Sequence, residues 1–268
     1  MRADPAGNIT VFVMNPPDDA ECRIAAVRAI MADSGLKAEQ LGFVLPPKSP
    51  GGLWSLEMMG GEFCGNASRS FGLLVAGLTG ICGPASLKVK VSGAKQPLEV
   101  QVDTLSAYAE IQVPSPLAET SIEYKGKIFP LTVFEGISHI IAEDTAADLG
   151  LAHELLQKAE QAADTGLLCT GHPDACGIMF YYTGKQFMQP LVWVRATGTF
   201  VSESSCGSGS AALAVRLARD AVDIDQVFAI AQPGGTISAH VVKRVGLLQR
   251  LSIGGKVRLG EPVIFKII

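Results

Sequence analysis

Hydrophobic positions along the chain form two kinds of stretch. The first kind is a pair of segments, Gly65–Leu78 (GNASRSFGLLVAGL) and Gly207–Arg219 (GSGSAALAVRLAR), rich in small residues and apolar almost all round. A helix with no polar face belongs inside a fold. Both segments therefore predict buried helices, each opening from a tight Gly-containing turn. Ala20–Ser34 and Thr145–Ala163 predict amphipathic helices instead, the second with Asp144 and Thr145 as caps near its start. The second kind of stretch is short, and either alternates or runs apolar. It covers Ile9–Met14, Gly42–Leu45, Leu53–Met58, Leu87–Val91, Leu98–Val102, Ala107–Val113, Ser121–Tyr124, Lys127–Phe134, Ser138–Ala142, Gly177–Tyr182, Pro190–Val194, Val227–Ala231, Thr236–Val242, Leu247–Ile253 and Val257–Phe265. Gly, Pro, Asp and Asn punctuate these runs, which reads as strands and turns. Many strands with one central buried helix in each half predict an α+β protein, not a βαβ array.

The two buried helices share their entry. One follows Cys64-Gly65-Asn66-Ala67-Ser68 and the other Cys206-Gly207-Ser208-Gly209-Ser210, about half a chain apart. Strands, a Cys-Gly turn and an apolar helix recur in that order, which predicts a duplicated unit with a site between two lobes. A cysteine at a helix N-terminus feels the positive end of the helix dipole, which favours its thiolate. The small residues after it let a ligand approach backbone N–H groups suited to an anion such as a carboxylate. Two such turns facing one substrate would hold its carboxylate and set a thiol on each side of the attached carbon. That arrangement suits inversion of an α-carbon, where a base works on one face and an acid on the other. Helix-end donors would stabilise the developing charge, and lobe closure would exclude water. The plain alternative for either cysteine is a small buried core residue; the recurrence of the pair favours the chemical reading.

Composition narrows the field. Hydrophobic residues make up 48% and charged residues 18%, which excludes a disordered chain, and a net charge of −4 without a Lys/Arg cluster gives no face for nucleic acid. No apolar run is long enough for a membrane span, and Met1–Asn15 lacks the basic start and apolar core of a signal peptide. The six cysteines, Cys22, Cys64, Cys82, Cys169, Cys176 and Cys206, then read as reduced cytoplasmic thiols. Cys22 and Cys82 read as packing or surface thiols. Cys169 and Cys176 flank His172 in CTGHPDAC without the spacing of a metal-ligand pair, so a loop is the reading and no metal is expected.

At these residues the chain resembles the diaminopimelate-epimerase-like family of pyridoxal-phosphate-independent racemases. The likeness rests on Gly7-Asn8, GGEFCGNAS at Gly60–Ser68, ESSCGSGS at Glu203–Ser210 and QPGGTI at Gln232–Ile237. Within that family it is most similar to histidine racemases of staphylopine-type metallophore biosynthesis, through GNITVFV at Gly7, EQLGF at Glu39, VKVSG at Val89 and QFMQPLVWV at Gln186. The resemblance implies two pseudo-symmetric lobes, each a strand layer around a central helix. Residues 1–118 form the first, with a strand at about 256–268 returning to it, and 119–255 the second. It implies Cys64 and Cys206 as the acid–base pair, no cofactor, and backbone N–H donors from Gly65, Asn66, Gly207 and Ser208 to the α-carboxylate. Glu39 matches an acid those histidine racemases carry near the site. The Glu-Arg-Gly-x-Gly-Glu-Thr stretch of true diaminopimelate epimerases is replaced by VWVRATGTFVSESSCG, and Ile137 stands where that family has Asn before a strand histidine. A second zwitterionic head group would lack partners there.

Remaining residues keep two readings each. Glu62 tunes the thiol or is a solvated strand residue. Glu203 binds the substrate ammonium or is a surface acid. Asn8 contacts substrate or caps a turn. Arg195 meets an acidic group of the substrate or does not. His139 reads as a hydrogen-bonded strand histidine, and Met58, Met59 and Phe63 as core. The leading function is an amino-acid racemase acting on histidine. Diaminopimelate epimerase or a broad racemase comes second, and a non-catalytic amino-acid binder on the same fold third. A homodimer is compatible with such folds.

Overall fold

The computed structural model describes residues 1–166, 168 and 171–265. The chain divides into two compact units, Met1–Gln112 with Gly254–Ile268, and Val113–Ile253. Both mix helices and strands, as the α+β reading expects.

The first unit runs β1 (Arg2–Asp4), β2 (Thr10–Val13), α1 (Ala20–Ala32), β3 (Gln40–Leu45), β4 (Ser55–Met58), α2 (Gly65–Leu78), β5 (Pro84–Val91), β6 (Leu98–Asp103) and β7 (Tyr108–Gln112). β2 and β3 pair in parallel across α1, and β4 and β5 in parallel across α2. β3–β4, β5–β6 and β6–β7 are antiparallel. Asp19 starts α1 by accepting from the Cys22 N–H at 2.8 Å. α2 packs against β5, β6 and β7 with almost its whole surface buried, as its all-round apolar sequence demands.

The second unit runs β8 (Ala118–Tyr124), β9 (Lys127–Val133), β10 (Ile137–Glu143), α3 (Leu149–Asp164), β11 (Ala175–Tyr182), β12 (Phe187–Val194), β13 (Thr199–Ser202), α4 (Gly207–Leu217), β14 (Ile224–Gln232), β15 (Gly235–Arg244) and β16 (Leu247–Lys256), which ends in the first unit. β10 and β11 are parallel across α3; β11–β12 and β12–β13 are antiparallel. Strand alternation splits β11 between two helices. Cys176, Ile178 and Phe180 join Leu155 and Leu156 of α3 in one core. Gly177 and Met179 point the other way, and Met179 touches the first turn of α4. Strands followed by a Cys-Gly turn and a buried helix thus occur in both units, as the sequence echo predicts; the parallel pair across a helix that precedes them in each unit was not part of that expectation.

Four expectations need correction. α3 begins at Leu149, capped by Asp148, whose side chain accepts from the Leu151 N–H at 2.7 Å. Asp144 and Thr145 do not cap it: Asp144 has a φ of 44° and binds Thr183 instead. The run Val257–Phe265 yields only β17 (Arg258–Leu259), paired with β1. Met59 is exposed, whereas Met58 is core. His139 is fully buried on β10, yet neither ring nitrogen has a hydrogen-bond partner.

Candidate active site

Cys64 and Cys206 are the N-caps of α2 and α4, with nearly the same backbone: φ −125°, ψ 113° and φ −119°, ψ 113°. An N-cap residue is extended while its carbonyl already accepts the first helical bond. The Ser68 N–H donates to the Cys64 carbonyl at 2.9 Å and the Ser210 N–H to that of Cys206 at 3.0 Å. Each thiol therefore stands over the first turn of a helix, whose leading N–H groups have no acceptor within the helix.

Around Cys64 the structure gathers three of the sequence candidates. The thiol accepts from the Ala67 N–H at 3.4 Å. Asn66, the second residue of α2, donates its side-chain amide to Asn8 Oδ1 at 3.4 Å. Gln40 donates to the same oxygen at 2.6 Å, so the Asn8 amide nitrogen is turned outward and donates to Glu39 Oε2 at 2.8 Å. Asn8 thus holds a network rather than a turn alone. Arg69, one turn into α2, donates to Asn66 Oδ1 at 3.2 Å, to the Gly255 carbonyl at 3.0 Å and to the Pro5 carbonyl at 3.3 Å. Its side chain is fully buried. Glu62 is exposed and folds its carboxylate back against Gly60.

Around Cys206 the partners differ. The Cys206 N–H donates to Gln232 Oε1 at 2.8 Å, and the Gln232 amide donates to Ser210 Oγ at 2.9 Å. The Ser208 hydroxyl lies 3.7 Å from Cys206 Sγ. Gly209 has no room for a side chain: a Cβ there would sit 2.2 Å from the Met179 sulfur and 3.2 Å from Cys206 Sγ. Burial pushes the Cys206 thiol well above its ordinary range, and the charge and hydrogen bond of Glu203 push it further. This corrects the expectation that both helix ends favour thiolate. At Cys206, desolvation and a neighbouring carboxylate outweigh the dipole. Glu203 addresses the thiol, a contact neither sequence reading foresaw.

Other candidates lie elsewhere. Arg195 donates to Glu160 Oε1 at 2.6 Å and to the Pro173 carbonyl at 2.9 Å, and stacks on Trp193 at 4.9 Å. His172 places its two ring nitrogens 2.8 Å from Glu160 and 2.9 Å from Asp164. Cys176 faces the α3 core, and burial pushes its thiol up to about 12. Cys169 lies outside the described residues. Among the described residues no three His, Cys, Asp or Glu side chains are placed to hold a metal ion. Among them, too, no helix is long and apolar enough to cross a membrane.

Arg69, Gln40 and Gln232 were not singled out in the sequence. Arg69 left a signal, as the one charge in an otherwise small and apolar helix. Gln40 and Gln232 sit inside the recognised EQLGF and QPGGTI stretches but gave no sign of direction.

The family described as "Histidine racemase CntK N-terminal domain" matches residues 1–261. A histidine racemase from Fusobacterium nucleatum is 32% identical over 244 residues, covering 88% of this chain and 85% of that one. A histidine racemase from Staphylococcus aureus is 27% identical over 264 residues, covering 96% and 93%. Among solved structures, a predicted epimerase from Pseudomonas aeruginosa shares the fold with a TM-score of 0.65 at 14% identity, covering 97% and 96%. A hydroxyproline epimerase from Agrobacterium vitis with bound trans-4-hydroxy-L-proline does so at 0.64 and 13%, covering 97% and 90%. The chain belongs to the histidine racemase CntK family and is an amino-acid racemase, an isomerase whose substrate is an amino acid.

Proposed function

We propose that this racemase inverts the α-carbon of histidine, without a cofactor, using Cys64 and Cys206 as its acid–base pair. The observation that carries the chemistry is the pair of cysteine N-caps with matching backbone. Histidine as substrate is supported by the names of the relatives. One thiolate takes the α-proton and the other thiol delivers one to the opposite face; for the reverse substrate the roles exchange. The α-proton is weakly acidic, so the enzyme has to stabilise the charge that flows into the carboxylate. The first-turn N–H groups of Gly65, Asn66, Gly207 and Ser208 serve this purpose. Asn8 and Glu39 form the polar wall of the Cys64 side, and Glu203 governs the Cys206 thiol. The D-histidine product would enter assembly of an opine metallophore in the cytoplasm.

The test is proton NMR of a panel of L-amino acids with reduced enzyme in D2O. Histidine should lose its α-proton signal. Cys64→Ser and Cys206→Ser should each lower inversion, read as appearance of the D-enantiomer, by about a hundredfold or more, as expected for loss of an acid–base group. Exchange of another amino acid in place of histidine would replace the substrate. Full activity in either serine variant would remove the two-thiol mechanism.

A further inference from the structure

The two cysteine turns are alike in backbone, but a carboxylate interacts with one thiol and a guanidinium with the other. Cys206 has a carboxylate as its charged neighbour. Cys64 has Arg69, whose guanidinium is fully buried and bonds only to neutral oxygens: Asn66 Oδ1 and the carbonyls of Gly255 and Pro5. A buried cation without an anion is costly and is seldom kept without a use. Helical side chains lean toward the N-terminus, which carries this charge from the second turn of α2 back under the Cys64 turn. Its hydrogen bonds also set direction. Because Arg69 donates to Asn66 Oδ1, the Asn66 amide nitrogen has to donate onward to Asn8, and the Asn8 nitrogen to Glu39. Every donor in the chain Arg69–Asn66–Asn8–Glu39 points away from the cation.

We propose that Arg69 is the positioning residue of the Cys64 turn: a fixed buried cation that holds Cys64 as the thiolate and locks the Asn66 amide beside it. The proposal rests on the two-cysteine reading above. Burial lowers the guanidinium to about 10, against the opposing influence of Tyr108 and Cys64, so it stays charged at neutral pH. Other ionisable groups of the same unit have the following contacts. Tyr108 of β7 gives its hydroxyl to Glu110 at 3.1 Å. Asp4, on the segment before Asn8, is paired with Arg258 at 2.7 Å and Arg2 at 3.6 Å. Glu39 is two amides away from Arg69, and Glu62 lies on Gly60. On this proposal Arg69 contributes a fixed positive charge at Cys64, with which its electrostatic interaction is favourable, and the empty enzyme rests with Cys64 as base and Cys206 as acid.

The experiment is the pH dependence of alkylation at each cysteine, followed by peptide mass spectrometry after brief iodoacetamide pulses. Exposed Cys82 is the internal reference. In the wild type, Cys64 should reach half-maximal reactivity at lower pH than Cys82. Arg69→Gln should move the Cys64 midpoint up by about one pH unit or more while Cys82 stays put. Arg69→Lys, which keeps the charge, should leave Cys64 below Cys82. A folded Arg69→Gln protein whose Cys64 midpoint moves no further than that of Cys82 would overturn the proposal. If the Gln variant does not fold, the other two proteins decide. A Cys64 midpoint at or above that of Cys82 in either overturns the proposal, and one below it in both supports it. The readout needs no turnover, so it separates failure of this proposal from failure of the racemase reading.

Discussion

At the scale of single residues, the least expected side chain is His139. Its ring meets the Phe134 ring edge-on at 6.1 Å and lies against Gly177, with both nitrogens unpartnered. Burial pushes the imidazole down to about 3, whereas an unfolded chain protonates its histidines at about 6.5. Between those values the unfolded state binds a proton that the folded state refuses, so stability falls as pH falls, by about 1.4 kcal/mol per unit. Above the unfolded value the contribution vanishes. His139→Leu should remove this slope: on going from pH 6.5 to 5, urea melts should show the variant losing about 2 kcal/mol less than wild type. Parallel losses in both proteins would mean that the ring is protonated inside the fold. On sequence alone His139 reads as a bonded strand histidine, because buried polar groups are usually hydrogen-bonded. Whether a buried ring finds a partner depends on what stands opposite it, and opposite His139 is Gly177, which offers no side chain. Arg69 escaped notice for a related reason. Arginine is a surface residue by habit, and only the folded structure shows three chain segments closing over it.

At the scale of elements, most of the fold was legible. α2 was found at its true limits because its cap, its apolar run and its end all agree. α3 was started too early because Asp144-Thr145 offers the same capping chemistry as Asp148, and the choice between them is made by the left-handed backbone at Asp144. β13 was missed because TFVS is too short to show a period, and β17 was overextended because an apolar run makes a strand only where a partner edge exists. Helix and sheet meet most closely at Gly72. A Cβ there would lie 2.5 Å from Val100 Cγ1, 2.8 Å from Cβ and 3.0 Å from Cγ2. Alanine in mid-helix gains about 1 kcal/mol over glycine in propensity. Val100 is β-branched, stiff and fully buried, so it has no rotamer to escape into. The clash wins: Gly72→Ala should destabilise by about 1–3 kcal/mol, and Val100→Ala, itself a cavity mutation, should cost less in the Gly72→Ala background than alone. Additive losses in denaturant melts would show that the helix shifts instead.

At the scale of the whole molecule, the two units carry one Cys-Gly turn each, and neither turn alone can invert a carbon. A single thiol returns the proton to the face it came from; inversion requires the second. The two-cysteine reading therefore makes a demand on the chain as a whole, that one substrate carbon meets a thiol from each unit. Thiols that can address the same carbon can also approach one another once the site is empty, and a disulfide forms when the Cα atoms come within about 7 Å. Diamide, which accepts the two electrons and two protons released, should then join Cys64 to Cys206. Activity should fall in step with the crosslinked peptide, return with dithiothreitol, and be protected by substrate held between the thiols. Exposed Cys22 and Cys82 provide the control, since replacing both with serine should leave the crosslink and the inactivation unchanged. Resistance to diamide in the double replacement, with no Cys64–Cys206 peptide at any dose, would mean that the thiols do not share a substrate. The repeated turn would then be a legacy of duplication rather than an acid–base pair.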